Sequence, residues 1–163
     1  MLFRSKIQAS TGVNIEIVKI LNRDPSKDRD IDIPAEVYVT DAYDIINDSD
    51  IDIIVELIGG IDPATEYMEA ALLNGKHVVT ANKAAIAKNG EKLQKIAEDN
   101  HVMLRFEASV AGGIPIINAI TTVLLSNEID NILGIMNGTT NYILTQMTES
   151  VIEIGRASCR ERV

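Results

Sequence analysis

Apolar residues along the chain alternate between short runs and stripes of helical period. Ile15–Leu21, Val37–Val39, His77–Thr80 and Met103–Phe106 are short runs of strand character. The run Ile51–Ile58 is nearly continuous aliphatic, the pattern of a strand buried on both faces of a parallel sheet. Between these runs lie amphipathic segments. Asp62-Pro63 is a helix start signal, with Asp as cap and Pro in the first helical position. Ala64, Tyr67, Met68, Ala71 and Leu72 then recur on one face, and Gly75 closes the helix. A second helix is predicted over Glu91–Asn100, with Leu93, Ile96 and Ala97 inward. Strands alternating with helices predict an α/β fold built of βαβ units around a parallel sheet.

The pattern changes after Glu107. Ile116, Ile117, Ile120, Val123 and Leu124 form another helical stripe. Ile129–Met136 reads as a strand, and Thr139–Met147 as a helix with Ile143 and Met147 on one side. A domain transition is expected near residues 108 to 115.

Composition narrows the function classes. The chain has 163 residues, enough for one domain or one domain and part of another. Aromatics make up only 4%, so the core must be aliphatic. The net charge of −9, with no basic stripe, argues against nucleic acid and against an anionic membrane surface. No apolar run is long enough to span a bilayer, and no signal segment opens the chain. The lone Cys159 excludes an internal disulfide, so a cytoplasmic setting is expected.

The two ends depart from this composition. Leu2 to Ser5 can be encoded CTC TTC CGA TCT, whose reverse complement, shifted in frame, encodes Ile154, Gly155 and Arg156. Such an inverted pair resembles a translated sequencing adapter at both ends of one DNA insert. Residues 1–5 and 153–163 are therefore expected to be an adapter-like artefact that packs poorly, and Cys159 falls within it.

Four segments can carry chemistry. IDIIVELIGG ends in Gly59-Gly60, and ligands of open α/β sheets bind beyond the carboxyl ends of strands. Paired glycines there allow close approach to the backbone, or simply make a turn. Glu56 either faces that cleft or caps the sheet near its edge. KHVVTANKAA reads strand, turn, helix. It puts Lys83 in a first helical turn, where the dipole disfavours a cation. Lys83 is either held there by an anionic ligand or is a solvated surface lysine. FEASVAGGIP joins Glu107 to a flexible Gly112-Gly113 turn, which suits a hard cation with oxygen ligands or an interdomain hinge. NGTTN offers a turn at Asn137-Gly138 and a helix capped by Thr139 or Thr140, whose free N–H groups could hold a carboxylate. Asn137-Gly138-Thr139 also fits a glycosylation pattern, without a secretion signal to support it. His77 and His101 are strand-flanking polar residues.

VELIGG, VVTANKAAIA, FEASVAGGIPII and GIMNGTTNYIL, in this order, resemble the core blocks of the homoserine dehydrogenases. IEIVKILNRDPSK is similar to that family's second Rossmann strand, and the resemblance spans residues 6 to 150. It implies a partial NAD(P)-binding Rossmann domain over residues 6–110, lacking its first strand. It also implies the start of an α/β substrate and dimerisation domain over residues 111–152. The implied activity is NAD(P)-dependent interconversion of aspartate semialdehyde and homoserine. Gly59 would lie near the cofactor, and Lys83 would be a catalytic-site lysine contacting cofactor or substrate. Arg23 could meet a 2′-phosphate and favour NADP, while Asp24 leaves NAD open. Glu107, with the carbonyls of Val110, Gly112 and Ile114, would form a monovalent cation site, usually sodium. Gly138 and Thr139 would belong to the substrate loop. A homodimer is expected of the full-length protein. The family's G-x-G-x-x-G loop and its later block, with acidic substrate-binding residues and a proton-donor lysine, are absent from this chain. The chain itself is therefore expected to be inactive. The alternatives are another Rossmann-type dehydrogenase, or a non-catalytic cofactor-sensing module.

Overall fold

The structure is a computed structural model and describes residues 2–24, 33–135 and 137–150. It divides into two units, residues 1–105 and 106–163, each taken by itself below. The expectation that the last residues pack poorly lies outside the described residues. At the other end, Leu2–Thr11 is a helix, α1, on which Arg4 and Ser5 are exposed.

The first unit is α/β with parallel strands. Strand β1 (Ile20–Leu21) pairs with β2 (Tyr38–Val39), and a short helix, α2 (Tyr43–Ile46), follows. Strand β3 (Ile53–Glu56), helix α3 (Ala64–Leu73), strand β4 (His77–Thr80), helix α4 (Lys83–Asp99) and strand β5 (Leu104–Arg105) complete it. The sheets run β1-β2 and β3-β4-β5, all parallel. A doubly wound sheet has the order 3-2-1-4-5-6. Remove its first strand, and a pair and a triplet remain, which is the arrangement found here.

Register fixes which residues share a face. Ile54 lies beside Val78, and Val78 beside Leu104; Glu56 lies beside Thr80. This face is covered by α3 and α4, whose Met68, Ala71, Leu72, Leu93 and Ala97 are buried with Val78 and Leu104. Each of the large side chains here stabilises the fold by about 1.5–3 kcal/mol. The aliphatic stripe predicted for α3 is therefore the inner face of that helix.

Several expectations need correcting. Ile51–Ile58 is not buried on both faces, since Ile53 is 51% and Val55 60% exposed. Among the described residues β3 pairs only with β4, and helices cover one side of the sheet. Of the run Ile15–Leu21, only Ile20 and Leu21 form a strand, because among the described residues strand pairing reaches only those two. The helix expected at Glu91 begins eight residues earlier, at Lys83, and runs unbroken through Gly90. One glycine costs a helix only about 1 kcal/mol, less than the packing of this face returns. Asp62 does not cap α3. Pro63 occupies the cap position, and the Thr65 amide and hydroxyl both donate to the Ile61 carbonyl at 2.8 Å.

Helices α3 and α4 end alike. Gly75 has φ +75°, its amide donates to the Leu72 carbonyl, and Lys76 N–H reaches back to Ala71. His101 takes the same left-handed place after α4, with φ 55°, and Val102 N–H donates to the Ala97 carbonyl. These paired bonds satisfy carbonyls the helix ends leave open.

Lys76 does more than follow a helix. Its side chain is buried, and its ammonium donates to the carbonyls of Asp48 and, at 2.7 Å, of Ile51. The neighbouring Lys19 donates to the Asp44 carbonyl at 2.8 Å and pairs with the Asp48 carboxylate at 2.6 Å. The hydrogen bond from Lys19, and then that from the Asp50 amide, hold the Asp48 carboxyl below its ordinary range.

Lys76→Met keeps the aliphatic stem, takes the ammonium from the Ile51 carbonyl and leaves the Asp48 carbonyl only the Ile51 amide at 3.3 Å, so chemical denaturation should show a loss of about 1–3 kcal/mol. The Asp48 contribution is present above the unfolded carboxylate pKa and disappears as pH falls through its lowered folded value. Asp48→Asn should therefore lower the melting temperature at neutral pH. The difference from wild type should shrink on acidification.

Candidate functional site

Three of the expected residues follow the carboxyl ends of parallel strands. Arg23 follows β1, Gly59 follows β3 and Lys83 follows β4. β3 and β4 are neighbours in one parallel sheet, so Gly59 and Lys83 follow strand ends on one edge, where ligands of open α/β folds bind, while Arg23 follows a strand of the separate pair β1-β2.

At β3 the chain turns through Gly59 and Gly60, with φ +80° and +74°. A side chain at either position would be strained in this conformation. A methyl group built on Gly59 would meet no atom within 4 Å, so the space above the turn is open.

The turn is held by Glu56, which is only 4% exposed. Its Oε1 accepts the Ile58 amide at 2.7 Å and the Gly59 amide at 3.3 Å. Its Oε2 accepts the Thr80 hydroxyl at 2.5 Å. Asn82, also buried, donates through Nδ2 to the Gly60 carbonyl at 2.7 Å and to Glu56 Oε1 at 3.4 Å. The Asn82 Oδ1 then caps α4 by accepting the Ala85 amide at 3.1 Å. One network thus joins the end of β3, the end of β4 and the start of α4. Of the two roles open to Glu56 on sequence grounds, facing the cleft or capping the sheet near its edge, the structure gives it the second: the carboxylate is buried and spent on the turn that ends β3.

Lys83 is the first residue of α4 and is exposed. Among the described residues its ammonium has no hydrogen-bond or ion-pair partner. Arg23 is exposed beside Asn22, whose Oδ1 accepts the Asp24 amide at 3.2 Å.

In the second unit, Glu107 opens a 3₁₀ turn, Glu107–Ser109. Its Oε1 accepts the Ile117 amide at 2.9 Å and its Oε2 the Asn118 amide at 2.7 Å. Glu107 thus caps α5 (Ile116–Asn118), which continues as a wider π turn over Ala119–Val123. Between them the chain bends through Ala111 and Gly112, both at positive φ. The Ile114 carbonyl accepts the Ile116 amide at 2.8 Å. The carbonyls of Val110 and Gly112 receive no hydrogen bond from any described residue.

Gly138 and Thr139 are exposed in the first turn of α6 (Gly138–Ser150). The cap is neither threonine but Asn137, whose Oδ1 accepts the Thr140 amide at 2.8 Å. The strand expected over Ile129–Met136 is absent over the described residues 129–135, where Ile132 and Leu133 are exposed. No described strand supplies a ladder for it.

Sequence reasoning missed Asn82 and Lys76. Asn82 carried a signal, an Asn directly before an alanine-rich helical stretch, which is a capping position. Lys76 carried none, because a buried lysine reads like any other.

Parallel strands alternating with helices, with a glycine turn at the carboxyl edge, are the architecture of a partial Rossmann-type α/β fold. Comparison with known proteins makes the class specific. The family model for the homoserine dehydrogenase NAD-binding domain matches residues 3–107, and that for homoserine dehydrogenase itself matches residues 115–158. The chain belongs to the homoserine dehydrogenase family. Both matches extend into the ends set aside above, at residues 3–5 and 153–158.

The homoserine dehydrogenase of Bacillus subtilis is 44% identical over 144 residues, covering 88% of this chain and 33% of that protein. That of Synechocystis is 46% identical over 134 residues, covering 82% and 31%. The crystal structure of a homoserine dehydrogenase from Thiobacillus denitrificans aligns with a TM-score of 0.78 at 40% identity, over 94% of this chain and 35% of that one. A hyperthermophilic archaeal homoserine dehydrogenase in complex with NADPH aligns with a TM-score of 0.56 at 30% identity, over 75% and 38%. The chain thus spans about a third of the length of these relatives.

Glu107→Ala should uncover the Ile117 and Asn118 amides and fray α5. The expected result is faster hydrogen exchange at those two amides, at a cost of about 0.5–2 kcal/mol.

Proposed function

We propose that this chain is a segment of an enzyme that interconverts L-aspartate 4-semialdehyde and L-homoserine with NADP or NAD. That reaction serves threonine, methionine and isoleucine biosynthesis. The observation that carries the reading is the ordered match of both family models along one chain. The free cation of Lys83, beside an open glycine turn, supports it.

The residues present fit a nicotinamide dinucleotide. The turn at Gly59-Gly60 leaves room for a ligand against the backbone, and Lys83 offers a positive charge to its anionic groups. Arg23 can meet a 2′-phosphate, with Asp24 beside it able to accept from a ribose hydroxyl instead. When bound, the dinucleotide supplies hydride transfer at its nicotinamide ring. The chain's part is orientation and charge. Lys83 holds cofactor or substrate at the strand edge and stabilises negative charge developing on the substrate oxygen. Gly138 and Thr139 place backbone N–H groups at a helix start, which suits the substrate carboxylate.

Glu107 and the carbonyls of Val110, Gly112 and Ile114 offer only oxygen donors, with one negative charge among them. That donor set matches a hard monovalent cation such as sodium, and the free carbonyls of Val110 and Gly112 suit it. We assign residues 6–110 to the cofactor domain and 111–152 to the start of the substrate domain, in a cytoplasmic homodimer. Among the described residues no helix is long and apolar enough to cross a membrane.

The full-length enzyme should oxidise homoserine with reduction of NADP or NAD, followed by the absorbance of the reduced nicotinamide. Lys83→Ala in it should lower turnover at least about 10²-fold while the melting temperature holds, as for loss of a single charge-stabilising group. The 163-residue chain alone should show no turnover. Normal turnover by the Lys83→Ala enzyme, or robust turnover by the chain alone, would contradict the reading.

A further inference from the structure

Glu56 is a carboxylate buried at the strand edge, and the chemistry above makes no use of it. Every donor it accepts from is neutral: two backbone amides, a hydroxyl and a carboxamide. Burying a carboxylate is costly unless it is well hydrogen-bonded. The fold accepts that cost where two strand ends meet. All four donors stand at the carboxyl ends of β3 and β4: the Ile58 and Gly59 amides in the turn after β3, the Thr80 hydroxyl on the last residue of β4, and the Asn82 carboxamide just beyond it.

We propose that Glu56 is a positioning residue for the cofactor, setting the glycine turn 58–60 and the Asn82–Lys83 helix start at one fixed separation. This rests on the functional reading above. The logic is geometric. Oε1 fixes the amides of Ile58 and Gly59, so the turn cannot rotate without breaking two bonds. Oε2 fixes Thr80, whose hydroxyl in turn accepts the Asn82 amide at 2.9 Å. Asn82 closes the ring by holding the Gly60 carbonyl and capping the helix that carries Lys83. A displacement of either loop is thereby transmitted to the other.

Chemically, Glu56→Gln keeps an oxygen for the Ile58 and Gly59 amides and presents its nitrogen to Thr80, whose hydroxyl can turn to accept. Glu56→Ala removes every bond. Asn82→Ala cuts the link from the other side.

The test is steady-state kinetics of the full-length enzyme at a temperature well below the melting point of each variant. Glu56→Ala and Asn82→Ala should each raise the cofactor KM by on the order of tenfold, the size expected for a lost buried hydrogen bond. The double variant should be little worse than the worse single one, because both cut one network. Glu56→Gln should stay within about threefold of wild type. If Glu56→Ala does not fold, Glu56→Asp, one methylene too short to span both turns, takes its place with the same expectation. A merely structural carboxylate would lower the melting temperature and leave the cofactor KM of the folded variants unchanged. That result would overturn the proposal, as would multiplicative effects in the double variant or a Gln variant as impaired as Ala. Wild-type enzyme without homoserine turnover would overturn the functional reading, and with it this role for Glu56. Active wild type with an unchanged Glu56→Ala KM would overturn the positioning role alone.

Discussion

A carboxylate buried at the end of β3 must find hydrogen-bond donors, and Glu56 finds them in two different loops. Much else in the first unit follows from that requirement. The parallel register puts Glu56 beside Thr80, so the hydroxyl is in reach. The glycine turn can fold back because Gly59 and Gly60 accept positive φ. Asn82 can serve both loops because it stands between β4 and α4, with one end of its carboxamide donating and the other accepting. The apolar packing of α3 and α4 holds the strands, and the Glu56 network decides where their ends point.

The open face of the sheet has a matching explanation. Doubly wound parallel sheets bury both faces under helices. Here the described helices α3 and α4 cover one face, and Ile53 and Val55 on the other remain exposed. Among the described residues the strands fall into β1-β2 and β3-β4-β5, which leaves β1 and β3 each with one unpaired edge. Such free edges readily pair with other chains.

The parts of this arrangement legible in the sequence were those written in periodicity. The stripe Ala64, Met68, Ala71 and Leu72 lines the buried side of α3, and HVVT is a strand from His77 to Thr80 as the pattern required. Lys83 stands in the first turn of its helix because the strand-turn-helix order leaves it no other place. The unread parts depend on neighbours. The apolar run Ile15–Leu21 has strand composition, yet a strand is defined by a partner's backbone, and only two of its residues have one. Ile129 onward fails for the same reason. Glu107 illustrates a different limit. Its carboxylate and nearby carbonyls were readable as a cation's ligands, but its capping of α5 depends on a bend that no local pattern announces. The capping leaves each oxygen a further lone pair, so the two roles are compatible.

If the carboxyl ends of β3 and β4 form one cofactor-binding edge, a bound cofactor covers both together. Hydrogen exchange of the full-length enzyme, with and without NADPH, tests it most directly. NADPH should slow exchange at the amides of residues 58–60 and 82–85 together, with little change on the far side of α4, around Lys88 and Lys95. Protection confined to other segments, with residues 58–60 and 82–85 unaffected, would contradict it.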